Sequence, residues 1–210
     1  MADVSIIIIN YNSGVYLKNC VQSILEAVSV DYEIIVWDND SKDNSVALLE
    51  QAYGSSQQLQ IIRSTENLGF AKANNLASEY ASGNILHFLN PDTVVSADIN
   101  NLYFHFTNNM QFGASVTRML DKAGSVMKIT HVLPTLQDYV RTILRMKNVG
   151  HWSIGASVLI RKDVFLKIGK WAENYFMYTE DMDLFYTLHR NKVRVFYSDV
   201  AIVHFGRISS

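Results

Sequence analysis

The sequence predicts an α/β protein with a doubly wound, mixed but mainly parallel sheet. Short runs of β-branched residues alternate with segments of helical apolar spacing, and after residue 110 the rhythm changes to strands joined by turns. Alternating strands and helices at this pitch are typical of parallel βαβ units. We expect one domain, with no linker between the parallel first half and the more mixed second half.

The first half predicts four strands that are continuously apolar, as strands buried on both faces are. They are residues 4–9, 33–37, 59–63 and 85–89. Each of the first three is followed by a segment with one apolar helical face. These faces carry Leu17, Cys20, Val21, Ile24, Leu25 and Val28, then Val46, Leu49 and Tyr53, then Phe70, Ala73, Ala77 and Tyr80.

The second half predicts further strands at residues 113–116, 126–130, 155–162, 193–197 and 200–205, and a helix that begins near Thr179. Residues 131–147 also have helical spacing. Their apolar positions are Leu136, Tyr139, Val140, Ile143 and Leu144, with Arg141, Arg145 and Lys147 interspersed. We expect the apolar side to pack on the core; the alternative is a surface helix that contacts a membrane or a lipid-linked substrate.

Composition narrows the class of protein. A chain of 210 residues with 49% hydrophobic and 18% charged residues is globular and large enough for a proper core. The net charge of −2 gives no general attraction to nucleic acid, and the single cysteine, Cys20, excludes an internal disulfide. No apolar stretch reaches the roughly 18 residues of a membrane span, and the N-terminus lacks the basic region of a signal peptide. We expect a cytoplasmic protein.

Polar residues follow the predicted strands at their carboxyl ends, the edge where open α/β sheets bind ligands. They are Asn10, Asp38, Asn67 and the Asn90-Pro91-Asp92 sequence. An ordinary turn accounts for the last of these when it is taken alone. A helix cap by Ser41 or Asp40, with Asp43 near the helix dipole, accounts for the residues after Asp38. Asp38 itself is placed to accept a hydrogen bond from a nucleobase or a ribose hydroxyl.

The segment ENLGFAKANN, residues 66–75, places Gly69 at the start of a helix and Lys72 one turn in. A helix N-terminus offers N–H groups to a phosphate, and Lys72 adds positive charge. A solvated lysine is the simpler interpretation. The segment is neither a G-x-G-x-x-G motif nor a Walker A loop.

Three carboxylates, Glu180, Asp181 and Asp183, crowd the first turn of the helix that begins near Thr179. Acidic residues there complement the helix dipole, but one is also placed to take a proton from a hydroxyl nucleophile. Glu180 and Asp183, three apart, are expected to share a face, and Asp181 to point elsewhere.

His204 ends an apolar strand near the C-terminus. It is either a core histidine or, beside Asp92, a ligand of a divalent cation.

Taken in order, these segments resemble family 2 glycosyltransferases of the glycosyltransferase-A fold, particularly the bacterial rhamnosyltransferase-like branch. The resemblance runs nearly end to end. The matching segments are SIIIINYNS, IIVWDNDSKDNS, ENLGFAKANN, FLNPDTVV, HWSIGASVLIRKDVF, ENYFMYTEDMDLFYTLHR and VAIVHFG. The resemblance implies a nucleotide-diphospho-sugar transferase fold. It also implies inverting transfer of a sugar from a UDP- or dTDP-linked donor to an acceptor hydroxyl in a surface glycan or a lipid-linked molecule.

The resemblance also implies roles for the donor-side residues. Asp38 matches the residue that contacts the nucleotide base, and the loop from Asn10 to Asn12 helps to line that pocket. Asp92 matches the last aspartate of the family's metal motif, which joins Mn²⁺ or Mg²⁺ to the diphosphate. His204 matches a histidine that often completes the coordination.

On the acceptor side, Asp181 matches the usual general base, with Glu180 alongside it. Gly155 begins the GAS segment that lines the sugar and acceptor cleft. One departure stands out: the metal motif often opens with aspartate, whereas this chain has Asn90. One fewer charge then faces the cation, so weak metal binding without donor is expected.

These implications divide the single domain into a nucleotide-binding half, 1–110, and an acceptor and catalytic half, 111–210. Peripheral contact with the inner face of the plasma membrane stays open. Two other functions also stay open: a sugar-phosphate nucleotidyltransferase and a catalytically silent module that binds nucleotide sugars. The first normally uses a Gly-rich, basic N-terminal loop, and NYNSGVYLKN is poor in both.

Overall fold

The computed structural model describes residues 2–144, 146, 150–177 and 179–206. Strands and helices alternate through the first half of these residues, as predicted. The strands are β1 (Val4–Asn10), β2 (Tyr32–Asp38), β3 (Leu59–Arg63), β4 (Ile85–Leu89), β5 (Thr93–Val94), β6 (Ala114–Leu120), β7 (Thr130–Val132), β8 (His151–Ser153), β9 (Ser157–Arg161) and β10 (Val195–His204). The helices are α1 (Val15–Ala27), α2 (Ser45–Tyr53), α3 (Phe70–Ala77), α4 (Ile99–Asn108), α5 (Leu136–Ile143), α6 (Lys162–Ile168) and α7 (Glu180–Arg190).

Eight strands from both halves form one sheet in the order β3-β2-β1-β4-β9-β6-β10-β5. Strands β3, β2, β1 and β4 are parallel, β9 runs antiparallel to both of its neighbours, and β10 is parallel to β6. Strands β7 and β8 form a separate antiparallel pair. The predicted fold class, α/β with a mixed and mainly parallel sheet, is confirmed.

The core lies on both faces of this sheet, because alternate side chains of each strand point to opposite sides. In β1, Ile6 and Ile8 join one buried cluster and Ile7 joins the other. The first cluster packs against α1, α2 and α4, and the second against α3, α6 and α7. Helices on both faces make the sheet doubly wound, as the continuous apolar runs predicted. Among the described helices, none has the length and apolar character to cross a bilayer.

Several boundaries differ from the sequence prediction. Residues 126–130 are not a strand: Val126 makes one isolated bridge to Leu120, and β7 begins only at Thr130. The carboxylate of Asp121 accepts the N–H groups of residues 123 and 125, which closes a tight turn before a ladder can extend. The two predicted closing strands, 193–197 and 200–205, are one strand, β10. Its register shifts between Tyr197 and Ala201, which produces the apparent break in the sequence pattern.

Helix α5 forms where the 131–147 pattern predicted a helix, but its predicted packing on the core is wrong. Leu136 is 79% exposed and Ile143 is 63% exposed, whereas Asp138 is 1% exposed. Thr135 caps the helix by accepting the N–H of Asp138, and its hydroxyl donates to the Asp138 carboxylate. These two hydrogen bonds, together with the N–H of Gly150 donating to Asp138, hold the polar side of the helix inward. Arg145 and Lys147, part of the same predicted pattern, lie outside the described residues.

Candidate active site

The carboxyl ends of the parallel strands bring several predicted site residues to one edge. Asn10 and Asp38 are the last residues of β1 and β2 and lie opposite each other in the strand register. Asn90 follows β4, which pairs with the other side of β1. Asp38 is therefore two strand spacings, about 10 Å, from the end of β4. The order of the strands thus spreads the predicted donor residues along one edge.

Asn10 links the loops that follow β1 and β2. Its side chain is fully buried, and the two N–H bonds of its Nδ2 are shared among three acceptors: Asp38 Oδ1 at 2.7 Å, Ser45 Oγ at 2.8 Å and Ser41 Oγ at 3.0 Å. Asn12, at a positive φ of 49°, donates its N–H to Ser41 Oγ. Asn10 and Asn12 thus hold the two loops together and fix the carboxylate of Asp38.

The predicted caps of α2 are wrong. The helix begins at Ser45, beyond the reach of Ser41, and Asp40 pairs with Lys42 instead. Asp43 accepts the N–H of Ser45 and, through its other oxygen, the N–H of Gly14. Burial acts to raise the pKa of Asp43, but hydrogen bonds from the hydroxyl and the N–H of Ser45 and from the N–H of Gly14 outweigh it, so this pKa is lowered. The polar cluster after Asp38 therefore joins two loops as well as starting a helix.

Asp92 and His204 meet, as the sequence predicted for a cation site. His204 Nε2 lies 3.3 Å from Asp92 Oδ1, and both side chains are largely buried. The backbone fixes this pair: His204 is opposite Thr93 in the β5–β10 pairing, and the N–H of Phe205 donates to the carbonyl of Asp92 at 2.9 Å. The pairing of β5 with β10 thus holds Asp92, from the first half of the chain, beside His204, from β10.

The chemistry of this pair fits a divalent cation. A carboxylate oxygen and an imidazole nitrogen at this separation can bind one ion together. The buried Nδ1 of His204 has no hydrogen-bond partner among the described residues, so no protein acceptor there holds the imidazole in one tautomer. The described residues contain no cluster of three or more metal-ligating side chains. A cation here would therefore need oxygen ligands from a bound molecule as well.

A cavity of about 240 Å³ opens beside this pair. Its polar lining comes from Asn90, Asp92, Gly155, Glu180, Asp181 and His204, and its apolar lining includes Ile9, Phe70, Ile154 and Met177. We call it the Asp92 cavity. Six of the predicted site residues meet in it, drawn from both halves of the chain.

The pKa of Asp181 is raised in the Asp92 cavity. Burial raises the pKa of Asp181 from 3.8 to about 6, the charge of Glu180 acts in the same direction, and the N–H groups of Met182 and Gly155 act against it. Met182 donates to Oδ1 at 2.7 Å and Gly155 to Oδ2 at 3.3 Å. A carboxylate with a pKa close to neutral is suited to take up a proton.

The three carboxylates of α7 divide between two cavities. Glu180 and Asp181 line the Asp92 cavity, and Glu180 is held back by the N–H of Thr179 at 2.9 Å. Asp183 lines a larger cavity of about 440 Å³. The expectation that Glu180 and Asp183 share a face is wrong, because the side chain of Glu180 folds back toward the start of the helix. The larger cavity contains neither Asp92 nor His204.

We call this larger space the Tyr186 cavity. Beside Asp183 it is lined by Leu133, Pro134, Thr135, Leu136, Tyr175, Thr179, Met182 and Tyr186. None of these lining residues was predicted from the sequence as a site residue. The available signal was the spacing of Thr179, Asp183 and Tyr186, which at i, i+4 and i+7 share a helical face. Two tyrosines beside a carboxylate offer both aromatic surface and hydrogen bonds to a polar ligand.

Asn67 and Lys72 do not reach the Asp92 cavity. Asn67 Oδ1 accepts from Asn39 and from the N–H of Gly69, and Lys72 is exposed. The N–H of Phe70 already donates to the carbonyl of Phe176 at 3.3 Å. Gly69 is needed for this approach, since a Cβ there would lie 2.7 Å from that carbonyl oxygen. Protein acceptors therefore occupy two N–H groups at the start of α3, those of Gly69 and Phe70, where a phosphate was expected to bind.

Comparison with known proteins places this geometry in a family. The Glycosyl transferase family 2 profile matches residues 5–169, which includes Asp38, Asp92 and Gly155 and stops before Asp181. The rhamnosyltransferase WbbL of Escherichia coli (strain K12) is 29% identical over 216 residues, which cover 92% of this chain and 80% of that protein.

Two solved structures share the fold at low identity. TarS 1–349 of S. aureus in complex with UDP-GlcNAc superposes with a TM-score of 0.73 at 17% identity, over 99% of this chain and 59% of that chain. GalNAc-T7 with UDP, GalNAc and Mn²⁺ superposes with a TM-score of 0.77 at 16% identity, over 99% of this chain and 44% of that one. The fold is thus the glycosyltransferase-A fold, as the sequence resemblance implied. Because the profile match spans most of the chain, the protein belongs to glycosyl transferase family 2.

Proposed function

We propose that this protein transfers a sugar from a UDP- or dTDP-linked donor to a hydroxyl group of a glycan or lipid-linked acceptor, with inversion at the anomeric carbon. The observation that carries the proposal is the Asp92 cavity, where the Asp92–His204 pair and the raised pKa of Asp181 occur together. Family membership and the likeness to a rhamnosyltransferase support it. Bacterial surface polysaccharide or glycolipid synthesis is the setting that this relative favours.

Asp181 is the general base in this proposal. Its carboxylate takes the proton of the acceptor hydroxyl as that oxygen attacks the anomeric carbon. The breaking bond leaves its electron pair on the nucleoside diphosphate. This single displacement inverts the anomeric centre and needs no covalent intermediate on the protein. Glu180, beside the base, helps to keep its pKa high.

Asp92 and His204 would hold Mn²⁺ or Mg²⁺, which supplies positive charge against the negative charge that grows on the leaving diphosphate. Asn90 lines the same cavity and contributes a neutral amide where an aspartate would place a second negative charge. With so few charged ligands, the protein should bind the cation tightly only together with donor. The Mn²⁺ bound to GalNAc-T7, a protein of the same fold, supports a divalent cofactor.

The donor lies along the edge of the sheet. The nucleobase of the donor binds Asp38, in the loops that Asn10 and Asn12 join. The diphosphate then reaches the Asp92 cavity, two strands away. Gly155 lines the sugar site against Asp181. The acceptor enters from the Tyr186 cavity, where Asp183 binds its hydroxyl groups rather than acting as the base. Residues 1–110 thus serve mainly the nucleotide and residues 111–210 mainly the acceptor, within a single domain.

The acceptor side is proposed to work at the inner face of the plasma membrane. A lipid-linked acceptor holds its reacting hydroxyl at a bilayer surface, so an enzyme that uses it gains from contact with that surface.

A panel of nucleotide sugars tests the proposal. A donor that binds the folded state raises the unfolding temperature, and it should do so more with Mn²⁺ present. The same donor should then release nucleoside diphosphate slowly in water. Absence of any shift across UDP- and dTDP-sugars would exclude the donor class. A shift without nucleoside diphosphate release would make the chain a binding module without catalysis.

A further inference from the structure

Helix α5 exposes an apolar face to solvent. Four residues at positions i, i+3, i+4 and i+7 span an arc of about 100° on this helix. They are Leu136, Tyr139, Val140 and Ile143, which are 79%, 65%, 44% and 63% exposed. Leu144 and Met146, which follow the helix, are 60% and 51% exposed. A contiguous apolar surface of this kind marks an interaction site more often than single exposed residues do.

The orientation of the helix is fixed by polar contacts on its opposite side. Asp138 is 1% exposed, and its carboxylate accepts hydrogen bonds from the hydroxyl of Thr135 at 2.8 Å and from the N–H of Gly150 at 3.3 Å. Rotating the apolar face inward would expose this carboxylate and break its hydrogen bond with Gly150. The outward position of the apolar face is therefore the arrangement that the local hydrogen bonds enforce.

The charge of this segment indicates what covers it. In the sequence, residues 136–147 contain one acidic residue, Asp138, and three basic residues, Arg141, Arg145 and Lys147. Because Asp138 is buried, the segment presents no carboxylate to a partner. Apolar residues interspersed with basic ones suit the boundary between acyl chains and anionic headgroups. A second copy of the same basic segment would instead be repelled.

The position of the helix relates it to the acceptor. Leu136 belongs both to the exposed face and to the wall of the Tyr186 cavity, which also contains Asp183. A surface that contacts α5 therefore lies beside the opening of that cavity. A sugar attached to a lipid in the same surface would reach the cavity without leaving its membrane.

We propose that α5, with Leu144 and Met146, docks on an anionic lipid bilayer and thereby presents the Tyr186 cavity to the sugar of a lipid-linked acceptor. The acceptor part of this inference rests on the proposed function. The docking part does not, because it follows from the apolar face and its charge. Docking places the active site at the surface where the acceptor lies.

Vesicle sedimentation tests the docking. The full chain should bind vesicles of phosphatidylglycerol and phosphatidylcholine, and bind vesicles of phosphatidylcholine alone more weakly. Ile143→Glu should reduce binding to the anionic vesicles by roughly tenfold or more, because it places a charge in the apolar face. Leu144→Gln is a milder second variant. Phe104→Glu is the matched control, since Phe104 is 72% exposed on α4. It should bind as the wild type does.

Each other outcome overturns the inference. These are failure of the wild type to bind anionic vesicles, retention of binding in both α5 variants, and equal loss in the Phe104 control. A wild-type dimer that Ile143→Glu converts to a monomer, without vesicle binding, would assign the face to a second copy. Release of nucleoside diphosphate from donor in water should be unchanged in Ile143→Glu. That readout separates failure of docking from failure of the proposed function.

Discussion

The N–H of Gly155 donates to Oδ2 of Asp181, and a Cβ at residue 155 would lie 3.3 Å from the Cβ of Asp181. The absence of a side chain at Gly155 therefore lets the loop before β9 approach the first turn of α7 and orient the proposed base. This contact also lies within the wall of the Asp92 cavity. It gives the first prediction.

Gly155→Ala should lower turnover by about tenfold while leaving donor affinity nearly unchanged, because the added methyl displaces the base and not the donor loops. Steady-state kinetics measure the turnover, and thermal shift with donor measures the affinity. Gly124→Ala is the control: its φ is +83° but its Cβ would meet no atom within 4 Å. That control should lose about 1 kcal/mol of stability and keep its turnover. Equal turnover in both variants would refute the positioning role of Gly155.

Asp181→Asn should reduce turnover by roughly 10² to 10⁴ without weakening donor binding, because an amide cannot accept the proton of the acceptor. Rates of product formation at saturating donor measure this loss. Asp183→Asn is the matched control on the same helix, and we expect it to raise the KM for acceptor more than it lowers turnover. Near-wild-type turnover in Asp181→Asn would remove Asp181 as the base.

The pH dependence follows from the raised pKa of Asp181, about 6. The base works only when deprotonated, so turnover should fall as pH falls through about 6, and this limb should vanish in Asp181→Asn. The same raised pKa affects stability in the opposite direction: stability rises, rather than falls, as the pH is lowered. Burial disfavours the charged form in the folded state, so Asp181 costs stability above pH 6, and the cost disappears below the unfolded value of 3.8.

Asp181→Asn should therefore unfold at a higher temperature than the wild type above about pH 7, and at nearly the same temperature below 3.8. Thermal melts at the two ends of this range measure the difference. A stability gain that persists in acid would mean that something other than the buried charge is responsible.

Asp92→Asn should weaken the Mn²⁺-dependent part of donor binding by about tenfold or more, because one anionic ligand is lost. Thermal shift with donor, measured with and without Mn²⁺, reports this part separately. His204→Ala should act in the same direction. Asp98→Asn, an exposed aspartate near α4 with no side-chain cap hydrogen bond, is the control and should match the wild type. Equal Mn²⁺ effects in all four proteins would exclude Asp92 and His204 as ligands.

Asn10→Ala should lower the free energy of unfolding by about 2 kcal/mol, because it removes the buried hydrogen bonds of Nδ2 to Asp38 and Ser45. Urea unfolding measures the change. The Asp38 carboxylate then loses its positioning, so affinity for donor should fall as well. Asn101→Ala, on the exposed side of α4, provides the comparison. A loss of stability with unchanged donor affinity would separate the loop contacts from the nucleotide site.

Much of the fold could be predicted from the sequence because buried parallel strands are continuous apolar runs, and their ends mark one edge. The proximity of Asp92 and His204 was expected from their positions near strand ends, and their role as metal ligands stays a prediction. The packing of α5 was not predictable from spacing, since periodicity identifies an apolar face but not the side on which the core lies. The hydrogen bond from Gly150 to the buried Asp138 decides that question, and it depends on tertiary structure, whereas the Thr135 cap is local.

Other site expectations depended on contacts that a sequence does not display. The helix start at Gly69 has the composition of a phosphate site, yet the carbonyl of Phe176 occupies the N–H of Phe70. Similarly, Glu180 and Asp183 have the spacing of neighbours on a helix, but the first residue of α7 turns back to Thr179. Helix ends and loop approaches are set by distant segments, so spacing alone could not assign them.

The pairing of β10 with β5 has a consequence for the order of folding. Asp92 and His204 lie far apart in the sequence and meet only when β10 occupies its place between β6 and β5. Contacts of such long range form slowly, because closing a long loop costs chain entropy. Capacity for the divalent ion is therefore a property of the completed sheet, and partly folded molecules would not retain the ion through this pair.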